Sequence, residues 1–188
     1  MYMVPKNVKV VGGGLGVLAC LFGYAKARNA AQPPMLRGVC FLTPEGGSGV
    51  SGTVKFYQEG TKPTKIEARI LGLSDGKHGF HIHEFGNLSQ GCTTAGPHYN
   101  PFHKSHGGPG DVERHVGDLG NVVSKGGVAV FEVADPLVQL TGPYSVLGRS
   151  VVVHAAEDDL GKGNQPDSKT TGHAGSRLAC GVIGVDSA

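Results

Sequence analysis

Glycine and proline punctuate this chain densely enough to set its fold class. Of 188 residues, 32 are Gly and 11 are Pro, the residues least tolerated inside helices and most at home in turns. After the polar joint Gln32-Pro33-Pro34, strand-like runs recur at Arg37 to Thr43, Ser51 to Gln58, Lys65 to Leu71, Gly79 to Glu84, Val116 to Val123, Gly127 to Val133, Arg149 to Ala155 and Cys180 to Val185. Gly-, Pro- and Asp-containing turns separate them. Short strands without a convincing helix predict an all-β fold, an eight-stranded antiparallel Greek-key β-barrel of the immunoglobulin-like sandwich kind. With no Trp and only 6% aromatic residues, its core must be built from Val, Leu, Ile and Ala. Two irregular segments, Asn87 to Val112 and Ala156 to Arg177, exceed ordinary loop lengths, and loops that long are functional or disordered.

The N-terminus differs in composition. Lys6 and Lys9 precede the apolar stretch Val10 to Ala25, which is followed by Lys26, Arg28 and several alanines. The pattern predicts a secretory signal over residues 1–31, with Ala25-Lys26-Ala27 as one cleavage site. As a helix the stretch would span only roughly 24 Å, short of the roughly 30 Å hydrocarbon layer, and Gly12, Gly13, Gly14 and Gly16 weaken it further. An uncleaved signal anchor is the rival reading; a mitochondrial transit peptide fits less well, since the segment is apolar rather than Arg- and Ser-rich. Residues 32–188 are then one domain, secreted to the extracellular space or, if the anchor is retained, held at a membrane.

Cleavage after Ala27 would remove Lys6, Lys9 and Lys26, leaving 17 − 3 = 14 basic residues against 15 acidic ones. No basic run remains that would suggest nucleic acid as a partner. Of the 4 cysteines, Cys20 would leave with the signal. Cys40, on the apolar run Gly38-Val39-Cys40-Phe41-Leu42, is expected as a buried unpaired thiol.

Candidate chemistry begins at Gly79-Phe80-His81-Ile82-His83-Glu84. Alternate residues of a strand share a face, so His81 and His83 converge on one point. Such a pair can be a surface accident. Against that, the first long segment supplies His98, His106, His115 and Asp118, and His154 ends the run Val151-Val152-Val153. Imidazoles with one carboxylate suit zinc or copper, whereas calcium would demand oxygens throughout.

Five blocks, Gly79 to Gly86, Gly91-Cys92 to Pro101, His106-Gly-Gly-Pro109, Arg114 to Asn121 and Gly172 to Val185, resemble the copper/zinc superoxide dismutases, and the resemblance runs from about Leu36 to the C-terminus. It implies copper held by His81, His83, His98 and His154, and zinc held by His98, His106, His115 and Asp118, with His98 shared between them. A ring that serves two cations must lose both protons, which is reasonable only between two positive ions. The implied activity is disproportionation of superoxide to oxygen and hydrogen peroxide, an antioxidant oxidoreductase reaction, with His98 as acid/base group and Arg177 positioning the anion. Asp158 would link His81 to His106 from behind the ligands, and Cys92 would pair with Cys180 in a disulfide. A homodimer is implied through Phe85-Gly86-Asn87, Gly148 and Val182-Ile183-Gly184-Val185, and a copper chaperone is a further partner for metal loading.

The chain also departs from the family pattern. His173 stands where Asn is common, Pro166 and Asp167 where glutamates are frequent, and Lys169 is displaced by one position. His78 is expected below the copper channel and His103 on an exposed loop. Among rival readings, a dismutase-like domain of a copper chaperone would lack part of the copper set, and a copper-only relative would lack zinc ligands and the second long loop. A purely structural zinc-stiffened sandwich would leave His81, His83 and His154 without a purpose.

Overall fold

The computed structural model describes residues 34–187; the expected N-terminal signal or anchor lies outside them. In chain order the strands are β1 (Met35–Pro44), β2 (Ser51–Glu59), β3 (Thr64–Leu71), β4 (Gly76–His83), β5 (Ser89–Cys92), β6 (Asp118–Lys125), β7 (Val128–Asp135), β8 (Ser150–His154), β9 (Arg177–Val182) and β10 (Gly184–Val185). Every strand pairing among them is antiparallel. The order β1-β2-β3-β7-β6-β4-β8-β9 closes on itself because β9 also pairs with β1, so eight strands form the barrel. The chain passes from β3 to β4 across β7 and β6, which makes the connection a Greek key.

Two seams flatten this barrel toward a sandwich. β6 and β7 pair only beside their turn, at Ser124↔Ala129 and Lys125↔Val128. β1 meets β9 only at Thr43↔Cys180 and Pro44↔Ala179. Elsewhere the strands run in long ladders, such as β1 on β2 from Met35↔Glu59 to Leu42↔Gly52. The space between the seams is filled by Phe56, Ile66, Ile70, Phe80, Ile82, Leu119 and a set of valines. Strict alternation in β3, with Thr64, Ile66, Ala68 and Ile70 inside, places one face on that core.

β4 breaks the alternation for a reason that bears on function. Every residue from His78 to His83 is buried. Phe80 and Ile82 enter the apolar core, while the opposite face is covered by the two long segments, residues 84–117 and 155–176. The first contains β5 and a 3-10 turn at Thr93–Ala95, the second the short helix α1 (Ser168–Thr171).

Strand boundaries differ from those expected by up to three residues, as where β4 starts at Gly76 rather than Gly79, and two of the differences have a visible cause. The run Val116 to Val123 enters the sheet at Asp118, because Gly117 bonds instead to Ile82 and Tyr99. The last run starts earlier, at Arg177, and divides at Ile183, which is fully buried and exchanges backbone hydrogen bonds with Gly148 and Arg149 rather than with β1.

Cys92 and Cys180 form a disulfide, with Cα atoms 5.7 Å apart and a sequence separation of 88. It lies in a small buried cluster with Ala95 and Val152, tying the first long segment to β9. Cys40 is a free, buried thiol, and burial pushes its pKa up to about 12, so it is inert near neutral pH. Chain entropy assigns a bridge of this span about 4.5 kcal/mol. Replacing both Cys92 and Cys180 by Ala is therefore expected to lower the calorimetric melting temperature of the metal-free protein by about 10 °C; an unchanged melting temperature would show that the bridge does not constrain the unfolded chain.

Candidate metal centre

Backbone geometry brings distant histidines to β4. His81 and His83 share its covered face, and the β4–β6 register shifts between Gly79 and His81, which re-aims the histidine end of the strand. The first long segment returns to that strand through three mutual bonds: Tyr99 N–H to the Ile82 carbonyl at 2.9 Å, Ile82 N–H to Gly117 at 2.9 Å, and Gly117 N–H to Tyr99 at 3.0 Å. A side chain at Gly117 would collide with the Ile82 carbonyl oxygen, so glycine permits this close approach. As a result His98 lies directly across from His83. His154 ends β8 at a second irregularity, opposite Arg177 of β9.

Two donor sets result. His81, His83, His98 and His154 each bring a ring nitrogen within 4.8 Å of the others, as His98, His106 and His115 do with a carboxylate oxygen of Asp118, and His98 belongs to both sets. All seven side chains are buried. His103 and His173 are exposed and outside both sets; the His173 Nδ1 atom pairs instead with Asp167 Oδ1 at 2.8 Å. His78 is buried, with Nδ1 3.0 Å from the His154 carbonyl.

What each ring nitrogen does away from the centre decides which nitrogen faces it. His83 Nδ1–H donates to the Gly96 carbonyl at 2.8 Å and His154 Nδ1–H to that of Gly175 at 3.2 Å. A carbonyl can only accept, so both rings carry hydrogen on Nδ1 and present a bare Nε2. His81 and His106 turn their Nε2 atoms to opposite oxygens of Asp158, each at 2.8 Å. His115 Nε2–H donates to the Lys104 carbonyl at 3.0 Å. Among the described residues, His81 Nδ1 and His98 Nε2 are buried without a hydrogen-bond partner, while His106 Nδ1 lies 3.0 Å from Asp118 Oδ1 within the second set. Buried imidazole nitrogens are not left unpaired without cause; these two belong to the donor sets, where a bound cation would supply the missing partner.

The electrostatics separate the two sets. Burial, then the neighbouring His98, depresses the pKa values of His81 and His83, and burial pushes His154 down to about 3. This first set is therefore neutral and ready to donate lone pairs. The second is organised around Asp118, whose Oδ2 accepts the N–H groups of Gly107 at 3.1 Å and His115 at 2.8 Å. Burial alone would raise the Asp118 pKa, but the hydrogen bonds from His106, His115 and His98 hold it far below the usual carboxylate range. Burial opposes charge on His106 too, yet Asp118 and Asp158 together raise it to about 9. An all-nitrogen set suits copper, and three nitrogens with a carboxylate oxygen suit zinc.

Arg177 stands at the rim of the first set. Its Nη1 donates to the carbonyls of Cys92 and, at 3.3 Å, Thr93, and Nη2 donates to Gly96 at 2.7 Å. The Gly96 carbonyl thus anchors both His83 and Arg177. Lys169 borders two clefts, one lined by Ser105, His106, Asp111, Glu113 and Lys162 and one lined by His98, His103 and His115. Among the contributors that escaped the sequence reading are the Gly96, Gly175 and Lys104 carbonyls, which leave no residue-type signal, and Glu45, a turn carboxylate that accepts the Cys92 N–H at 2.9 Å.

A closed Greek-key barrel bearing two adjoining, buried donor sets that share one imidazole defines a two-metal β-barrel protein. The chain belongs to the copper/zinc superoxide dismutase family: the family model described as copper/zinc superoxide dismutase (SODC) matches residues 50–183. It is also 53% identical over 150 residues to superoxide dismutase [Cu-Zn] A of Xenopus laevis, a match covering 80% of this chain and 98% of that protein.

The buried neutral imidazoles set the acid response of the metal-free protein. Unfolded histidines titrate near 6.5, and His81, His83, His98 and His154 titrate lower when folded. The unfolded state then binds more protons below about pH 6.5, so stability is whole above that value and falls through the acid range. His106, at about 9, acts oppositely: its contribution is complete below 6.5 and is lost as pH rises through 9. Urea midpoints of metal-free protein should fall between about pH 7 and pH 4; a flat profile would contradict neutral burial.

Proposed function

We propose that this protein is a superoxide dismutase in which His81, His83, His98 and His154 hold copper while His98, His106, His115 and Asp118 hold zinc. The observation that carries this reading is the shared, buried His98, whose unpaired Nε2 faces one set while Nδ1 lies 2.9 Å from Asp118 in the other. Held there, copper would supply the electron transfer by which one superoxide is oxidised to dioxygen and a second is reduced, with two protons, to hydrogen peroxide. The chain's own residues do the rest. His98 Nε2 takes up and returns a proton, while its Nδ1 stays fixed on the zinc side. Asp158 holds His81 and His106 at fixed angles, coupling the two sets through one carboxylate. Arg177, locked by carbonyls, presents its remaining N–H edge to the incoming anion and orients it by charge and hydrogen bonding. The second set is filled by four protein donors, which suits a structural ion with no place for substrate.

Two finer readings accompany this one. A homodimer is supported by the exposed apolar side chains of Phe85, Val182 and Val185 beside Gly86 and Gly148, a patch able to pair with its own copy about a two-fold axis. Light scattering at micromolar concentration should give twice the chain mass; a stable monomer would remove the dimer reading. Export to the extracellular space is supported by the apolar N-terminal segment, residues 1–31, and agrees with a structural disulfide, with an uncleaved membrane anchor as the alternative. Delivery of copper by a chaperone fits a site buried this deeply.

Metal content per chain, measured alongside superoxide-scavenging rate, tests the central proposal. The protein should hold one copper and one zinc, and His83→Ala should lose copper and activity while keeping zinc. Full metallation without activity would overturn it and point to a structural or metal-carrying protein.

A further inference from the structure

The turn after β1 places a carboxylate against the segment that holds Arg177. Glu45 follows Pro44, and its Oε2 accepts the Cys92 N–H at 2.9 Å. Its backbone N–H is fixed in turn by the Leu178 carbonyl at 2.8 Å, immediately after Arg177 in β9. The carboxylate rests on Gly91, which has a φ of +69°, and a side chain there would collide with both Glu45 oxygens. The packing is therefore specific rather than incidental. From the other side of Cys92, Arg177 Nη1 donates to the Cys92 carbonyl, and the Cys92 sulfur is bonded to Cys180 of β9.

We propose that Glu45 is a positioning residue for Arg177: by clamping the Cys92 N–H it fixes the carbonyls that aim the guanidinium, and by its negative charge it moderates that guanidinium's pull on the anionic substrate. The inference rests on the superoxide dismutase reading of the site. Geometrically, among the described residues the carbonyls of Cys92, Thr93 and Gly96 are the whole of the Arg177 guanidinium's hydrogen-bonded support, and the turn that carries them is pinned at its start by Glu45. Electrostatically, the Arg177 pKa is lowered by burial and drawn back up by Glu45, so the two charges interact. Among the described residues, neither of Glu45's oxygens forms an ion pair within 4 Å of a cation.

Two substitutions separate the two parts. Glu45→Gln keeps an acceptor for the Cys92 N–H and removes the charge; Glu45→Ala removes both. In fully metallated protein, Glu45→Ala should lower kcat/KM about threefold to tenfold, the loss expected for a group displaced by a fraction of an ångström. Its azide affinity, read from the copper optical band, should weaken in step. Glu45→Gln should raise the rate about twofold at low ionic strength and steepen its decline with salt. In an Arg177→Ala background neither substitution should change the rate further. Wild-type rates and salt slopes in both variants would overturn the proposal, as would equal losses with and without Arg177, or a loss proportional to missing metal. An inactive but fully metallated wild-type protein would instead overturn the dismutase reading itself.

Discussion

The exchange of backbone hydrogen bonds among Ile82, Tyr99 and Gly117 is the constraint on which the centre depends. Without it, β4 would offer two histidines on a solvent-facing strand, and the 84–117 segment would have no reason to fold over them. Ile82 anchors this exchange from the inside. Its side chain is fully buried in the apolar core, so the backbone to which the loop docks is as rigid as the barrel. One residue to either side, His81 and His83 inherit that rigidity. The hydrophobic effect thus fixes the metal-binding geometry indirectly, through a strand whose two faces do different work.

Rigid backbone alone does not orient an imidazole, which can still turn about its side-chain bonds. Each ring is therefore held a second time by its far nitrogen, through Gly96, Gly175, the Lys104 carbonyl or Asp158. Asp158 is fixed as well: its backbone N–H donates to Asn121 at 2.8 Å, and its carbonyl accepts from the Asn121 side chain at 2.9 Å. Asn121 lies in β6, three residues after Asp118. The 155–176 segment is in this way referenced to the same sheet as the ligands it orients. A side chain on Gly172 would collide with the Asp158 carboxylate, which places glycine at the far side of that contact.

Much of this was legible in the chain because alternation and turn residues are local signals. All eight barrel strands overlap predicted runs, from the Val-, Phe- and Ile-containing stretches between glycines. β5 was not legible: Ser89-Gln-Gly-Cys92 is short, polar and without alternation, and its shape comes from the disulfide and from Glu45. The division of the last strand at Ile183 was hidden too, since Gly184 and Val185 change partners by contacts remote in sequence. In the centre, the donors announce themselves by residue type, and the fold brings those seven side chains together. Their ring orientations do not, because Gly96 and Gly175 act through carbonyls that every residue possesses. Glu45 was invisible for the related reason that a carboxylate in a turn is ordinarily solvated.

The same logic explains how the rim of the all-histidine set can be both fixed and accessible. A guanidinium free in solvent would hydrogen-bond to water and lose orientation, whereas one paired with a buried carboxylate would have its charge cancelled. Arg177 is bound instead by neutral carbonyls, which satisfy its donors and leave its net charge intact. The charge that balances it, Glu45, is set on the opposite side of Cys92 and reaches it only through space. Orientation and net charge are thereby set by separate groups, so a change in the β1 turn can retune attraction without touching the ligands. Arg177 shares the Gly96 carbonyl with His83, so the Cys92–Gly96 turn becomes a part of the structure where small displacements have a large chemical consequence.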